Sequence, residues 1–226
     1  MDAWGLSFLF SNLSIAHSPY QCIVSDLCGF TKLGNRCRSR VFVPRSLHFR
    51  VVKGGYICQS FLAFAGRIAG KHLESLRIEG SDYGISSNLT VLESCTGLQS
   101  LRLNACKGLW DISGLESCLD LEEIELASDK LANIDILSKL RNLRVVRLRC
   151  SSVRDFGALS HLKHLQELEI SYNRFIRELD FLLHRPSLSR VTLRFNANLR
   201  DEKKVLRILS KACTVDLEGC PSVSQG

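Results

Sequence analysis

No apolar run in this chain is long enough to cross a membrane. The longest, around Tyr56–Ala69, is broken by Gln59, Gly66 and Arg67 and falls short of the roughly 20 residues that a spanning helix needs. Residues 1–16 carry Asp2 and no basic residue, whereas a secretory signal opens on positive charge. Catalytic signatures are missing as well. Gly66, Gly70 and Lys71 stand as in a phosphate loop, but three residues separate the glycines where four are required. His72 occupies the place of the magnesium-binding Ser or Thr. Cys22, Cys28 and Cys37 lack the C-x-x-C spacing of a zinc site. His161 and His164 have no third ligand nearby in sequence. These absences predict no catalytic, cofactor-binding or metal-ligating residue, no small-molecule substrate and no enzymatic activity.

Acid is scarce in one region only. Residues 1–72 hold nine Lys and Arg against Asp2 and Asp26, a net of +7, while residues 73–226 hold 21 of each sign. Between Thr31 and Lys53 there is no acid at all, against Lys32, Arg36, Arg38, Arg40, Arg45, Arg50 and Lys53. Arg-rich, acid-poor composition fits a mitochondrial transit sequence. Pro44 and the alternating VFV and HFRVV runs instead fit a basic strand. Residues 1–40 are therefore expected to be a basic targeting or poorly ordered segment, and 41–72 a cap or degenerate first repeat. A neutral remainder argues against nucleic acid, whose phosphates demand a basic face, except through Lys32–Lys53. The expected partner is another protein.

What is abundant is one phrase, apolar-x-x-apolar-x-apolar, usually followed after two residues by Asn, Cys, Ser or Asp. It begins at Leu73, Leu98, Leu121, Leu143, Leu165, Leu188 and, degenerate, Ala212, with spacings of 25, 23, 22, 22, 23 and 24 residues. A repeat of this length is one short strand plus a return segment, and it buries its apolar face only against its neighbours. Leu143, Val146 and Leu148 point inward from the strand. Val153, Phe156, Leu159 and Leu162 then recur every third residue, a period that suits 3₁₀ turns. Leu131, Ile134, Leu137 and Leu140 do the same one unit earlier. From Asp201 to Lys211, Val205, Leu206, Ile208 and Leu209 take helical spacing. A last strand is expected at Thr214–Leu217, leaving an open sheet edge that can pair with a partner, and 221–226 form a polar tail.

The 22-residue units resemble the leucine-rich repeats of bacterial internalins and of protein-phosphatase regulatory subunits. LRLNACKGLWDISGL is similar to the cysteine-containing repeats of F-box-associated and protozoan leucine-rich proteins. In layout the chain is also similar to the ATP synthase subunit s family. The resemblance covers residues 73–220 and implies an α/β leucine-rich repeat solenoid. It would carry a curved parallel β-sheet on the concave side, with 3₁₀ turns and short helices on the convex side. No F-box precedes it.

The chain has ten cysteines. Cys106 and Cys220 fall on the ninth repeat position, where a side chain turns inward. Cys95 and Cys118 fall three residues before the repeat leucine, in slots that Leu140 and Leu162 fill elsewhere. As small buried hydrophobes they imply a reducing, intracellular location, the cytoplasm first and the mitochondrion as the alternative. The sequons at Asn12 and Asn88 would then be incidental.

Strand residues between the inward leucines face solvent and form columns about 4.8 Å apart. The middle column reads Arg77, Arg102, Glu125, Arg147, Glu169, Thr192, Asp216. Its neighbours add Glu122 and Glu123, Arg144 and Arg149, Glu167, and Arg190 and Arg194, so that acidic and basic bands alternate. Such bands can neutralise each other across the sheet or select a partner by charge. Tyr172 and Phe195 share a column in adjacent units. The candidate partner-binding residues are Glu123, Glu125, Arg147, Arg149, Glu167, Glu169, Tyr172, Arg194 and Phe195.

Overall fold

The computed structural model describes residues 22–32, 42–51, 70–80, 88–104, 106–183, 185–200 and 203–221. The expectations placed on residues 1–16, Arg36, Arg38, Arg40, Lys53, Cys37, residues 66–69 and residues 222–226 lie outside them. Within the described residues one sheet holds nine strands in chain order. They are β1 (Cys22–Lys32), β2 (Phe42–Val51), β3 (Ser75–Gly80), β4 (Ser100–Leu103) and β5 (Glu123–Ser128). β6 (Val145–Cys150), β7 (Glu167–Ile170), β8 (Arg190–Thr192) and β9 (Thr214–Asp216) complete it. β1 runs antiparallel to β2; every later pair is parallel.

Parallel register follows from the apolar phrase. Leu47, Leu76, Leu101, Ile124, Val146, Leu168, Val191 and Val215 stand opposite one another in consecutive strands. A slip by one residue would turn every such side chain to water. One backbone chain of hydrogen bonds ties the second position of each unit to the next. Gln99 donates to Glu74, Glu122 to Gln99, Arg144 to Glu122, Gln166 to Arg144 and Ser189 to Gln166, each at 2.8 Å. In the unit from Leu121, Leu121, Ile124, Leu126, Leu131, Ile134, Leu137 and Leu140 are all fully buried. Each such side chain contributes about 1.5–3 kcal/mol.

The return segments are 3₁₀ turns, as the three-residue period predicts: Thr90–Leu92, Ser113–Leu115, Asp135–Lys139, Gly157–His161 and Asp180–Leu182. Four of them are entered through an Asn or Asp side chain that accepts a backbone N–H two residues on. Asn88 takes Thr90 at 3.4 Å, Asp111 takes Ser113 at 2.8 Å, Asn133 takes Asp135 at 2.7 Å and Asp155 takes Gly157 at 2.7 Å. Such local bonds compete with helix or strand and start a turn instead. The bulkier turns lie opposite the strands, so the sheet lines the concave side.

The helix α1 spans Lys203–Ala212. Val205 and Leu209 are buried as expected, but Ile208 is 46% exposed and points away from the core. It lies one residue, about 100°, around the helix from Leu209, on the side away from the half-buried Leu206.

Cys95, Cys106, Cys118 and Cys220 are fully buried free thiols. Burial pushes the Cys118 and Cys150 thiols up to about 12, so they remain protonated. One inward position differs from expectation. In the units from Leu121 and Leu143 the eighth residue, Ser128 or Cys150, faces the core instead of the ninth. These two strands run two residues longer than β4 and β7, and unbroken alternation carries the eighth side chain inward. Ser128 Oγ accepts the Lys130 and Leu131 N–H groups at 3.1 and 3.2 Å, and Cys150 Sγ donates to the Leu126 carbonyl at 3.6 Å.

Gly114 allows adjacent turns to touch. A Cβ there would lie 2.1 Å from the Leu89 carbonyl oxygen. Gly114→Ala is expected to cost about 1–3 kcal/mol, read as a lower denaturation midpoint at unchanged slope. Differential alkylation with peptide mapping is expected to leave Cys95, Cys106, Cys118, Cys150 and Cys220 unlabelled in the native state, with the half-buried Cys213 labelled first among these six.

Candidate binding face

The outward side chains of β2–β9 are set by the same register as the core. His48, Arg77, Arg102, Glu125, Arg147, Glu169, Thr192 and Asp216 form the middle column. Ser100, Glu123, Val145, Glu167, Arg190 and Thr214 form the column beside it. Arginine is long enough to reach a neighbouring strand on the diagonal. Arg147 bridges Glu123 and Glu167, the latter at 3.1 Å. Arg149 bridges Glu125 at 3.4 Å and Glu169 at 3.0 Å. Arg102 holds Glu123 at 2.8 Å, and Arg194 meets Asp216 and, at 3.3 Å, Glu218. The basic band of β6 therefore bridges the acidic bands of β5 and β7.

Burial raises the Glu123 carboxyl, but hydrogen bonds and charge from Arg102 and Arg147 outweigh it and hold the group below the ordinary carboxylate range. Arg102 is raised in turn, chiefly by its hydrogen bond to Glu123. Ser100 and Ser171 hydroxyls donate to Glu123 and Glu169 at 3.4 and 3.1 Å. Glu125, 8% exposed, lies deepest. Pairs on this half-exposed face contribute about 0–1 kcal/mol each. They leave Glu123, Glu125, Glu167 and Glu169 against Arg147 and Arg149 on β5–β7, with Arg102 of β4 sharing Glu123.

At the exit of β7 and β8 the backbone turns left-handed. Tyr172 has φ 59° and Phe195 φ 55°, and Gly219, at the same repeat position, has φ 71°. This turn sends the eighth side chain outward and the ninth inward. Asn173 then donates to the Cys150 and Val153 carbonyls at 2.6 and 2.9 Å, and accepts the Phe175 and Ile176 N–H groups at 2.7 Å. Asn196 donates to the Ile170 carbonyl at 2.8 Å and accepts the Asn173 N–H at 2.9 Å. The outward rings stack on each other, with centroids 4.9 Å apart and planes 12° apart. They do not tuck under α1: Tyr172 is 58% and Phe195 42% exposed. The other face of Phe195 rests on Gly219, where a Cβ would meet the ring at 2.4 Å.

All nine predicted residues thus lie on one continuous face, six of the charged seven in mutual ion pairs, Arg194 paired with Asp216 and Glu218 instead, and the aromatic two in a stack. Sequence reasoning missed the left-handed turn, although the alignment of Gly219 with Tyr172 and Phe195 signals it. It also missed the turn-entering column of Asn88, Asp111, Asn133 and Asp155. His161 and His164 are exposed. Among the described residues no three His, Cys, Asp or Glu side chains gather as metal ligands, and no helix is long and apolar enough to cross a membrane.

An in-register parallel ladder, 3₁₀ returns and inward Asn or Cys at the strand exits define a leucine-rich repeat solenoid. The fold is shared with internalin C2 from Listeria monocytogenes, at 18% identity and a TM-score of 0.55 over 77% of this chain and 80% of that one. An internalin (inlF) from the same organism matches at 18% identity and a TM-score of 0.59, over 78% of this chain and 56% of that one. TLR13, in a complex with ssRNA13, matches at 20% identity and a TM-score of 0.60, over 76% of this chain and 24% of that one. At these identities the likeness is one of fold. No protein-family model and no curated protein matches the chain.

Because the folded state depresses the Glu123 carboxyl, its stabilisation is present above the unfolded value near 4.5 and is lost as pH falls through the folded value. Glu123→Gln is expected to lower stability at neutral pH by roughly 1–2 kcal/mol and to flatten the acid limb of a stability–pH curve measured by denaturant titration.

Proposed function

We propose that this chain is a non-enzymatic scaffold that binds another protein on the strand face of its solenoid, between Glu123 and Phe195. Tyr172 and Phe195 are its anchors. One observation carries this reading. The left-handed position costs a residue with a Cβ about 1–2 kcal/mol, and Gly219 shows that glycine fills it in the next unit. The core asks only for the inward Asn173 and Asn196, yet two large rings stand outside at the strained positions. Strained backbone bearing exposed aromatics is characteristic of ligand-contact surfaces.

The neighbouring ladder suits the same role. Glu123, Glu125, Arg147, Arg149, Glu167 and Glu169 already hold one another, so a partner meets ordered side chains at little entropic cost. Arg194, at the rim beside Phe195, adds a charge that favours one partner over another. The buried free thiols support a reducing compartment, the cytoplasm first.

The test compares the full tagged chain with a Tyr172→Gly/Phe195→Gly variant. Relief of backbone strain offsets the lost stacking, so stability is expected to stay within about 1–2 kcal/mol of the parent. A companion recovered from native cells by the parent is expected to fall at least about tenfold with the variant. Retention of every companion by a folded variant would overturn the proposal.

A further inference from the structure

The repeats are neutral in sum but not along their length. Residues 73–128 carry three Lys and Arg against ten acids, a net of −7. Residues 129–200 carry fourteen against seven, a net of +7, and residues 201–226 carry four of each. Since units stack in chain order, separation along the sequence is separation in space. The acidic half has a counterpart within the chain, the +7 of residues 1–72. Contact between them is visible where Arg45 meets Glu74 at 2.9 Å and His48 approaches Glu79 at 3.4 Å. The basic half meets the acidic one through Lys139, Arg144, Arg147 and Arg149 on Glu116, Glu122, Glu123 and Glu125, which leaves its more distant cations outside that contact.

Part of that excess is displayed at one edge, in the loops leaving β6, β7 and β8. Arg154, Arg177 and Arg200 each directly follow a buried apolar residue of the exit loop, Val153, Ile176 and Leu199, in three successive units, and Arg174 lies in the same loop as Arg177; all four are exposed. In the groove the arginines of the ladder hold carboxylates. Here Arg154, Arg174 and Arg177 form no ion pair with a described residue. Of the acids adjacent in sequence, Asp155 accepts the Gly157 N–H at 2.7 Å and Glu178 meets Arg200 at 3.3 Å. The Arg154 guanidinium lies 4.5 Å over the Phe175 ring, which orders it while leaving its charge unneutralised.

We infer that this arginine edge docks an acidic segment of a protein partner. The inference rests on the binding reading above and adds the partner's chemistry. Planar guanidiniums spaced one unit apart match a row of carboxylates, which they bind with two parallel hydrogen bonds each. A single-stranded nucleic acid is the weaker fit. It needs open ring faces on which bases stack, and each of the three rings here has a face already occupied. Phe195 lies between Tyr172 and Gly219, and one face of Phe175 is capped by Arg154.

The probe is a fluorescein-labelled peptide of alternating glutamate and tyrosine, titrated by anisotropy against the full chain at about 0.15 M salt. The Arg154→Gln/Arg174→Gln/Arg177→Gln variant is compared with a charge-matched control, Lys130→Gln/Arg141→Gln/Lys163→Gln, both checked for folding by circular dichroism. The edge variant is expected to bind at least about tenfold more weakly, and the control within about twofold of the parent. Equal losses in both would reduce the effect to net charge and overturn the inference, as would no peptide binding by the parent. Tighter binding of a labelled single-stranded RNA of equal charge, lost in the edge variant, would also overturn it. If only this edge fails, companions still depend on Tyr172 and Phe195 and not on the arginines. If the binding reading itself fails, they depend on neither.

Discussion

Everything in this molecule depends on register between neighbouring units. No unit can bury its leucines alone, so Leu76, Leu101, Ile124, Val146, Leu168 and Val191 must stand level from strand to strand. Once they do, the side chains between them are lined up as well. The ion-paired ladder, the stacked rings and the arginine edge are all columns of that register. None needs an element of its own.

The face built in this way has two regimes. In the groove, opposite charges occupy adjacent strands and satisfy each other on the diagonal, as Arg147 does between Glu123 and Glu167. At the strand exits the chain leaves the ladder through a left-handed residue, and side chains there answer to fewer constraints. The fold needs an inward amide at Asn173 and Asn196, each holding carbonyls of the preceding unit. It does not need Tyr172 or Phe195. Large side chains stand where the fold asks for none, beside Arg154, Arg174 and Arg177, which form no ion pair with a described residue.

The repeat spacing alone determined the solenoid, its strand positions, the 3₁₀ returns and the burial of Cys95, Cys106, Cys118 and Cys220, because each follows from which side chains must avoid water. The opposing ends of charge in residues 73–200 were equally legible by counting over half the repeats at a time. Other features depend on three-dimensional approach. Spacing placed the inward residue at the ninth position throughout, yet Ser128 and Cys150 take the eighth, since only the extra length of β5 and β6 decides the phase there. The tight contact of Gly114 with Leu89 depends on how far two turns can close. The diagonal ion pairs and the Tyr172–Phe195 stack depend on side-chain reach and backbone hand. Hydrophobic periodicity records which face a residue belongs to; how far across that face it reaches is settled only when the neighbouring unit is in place.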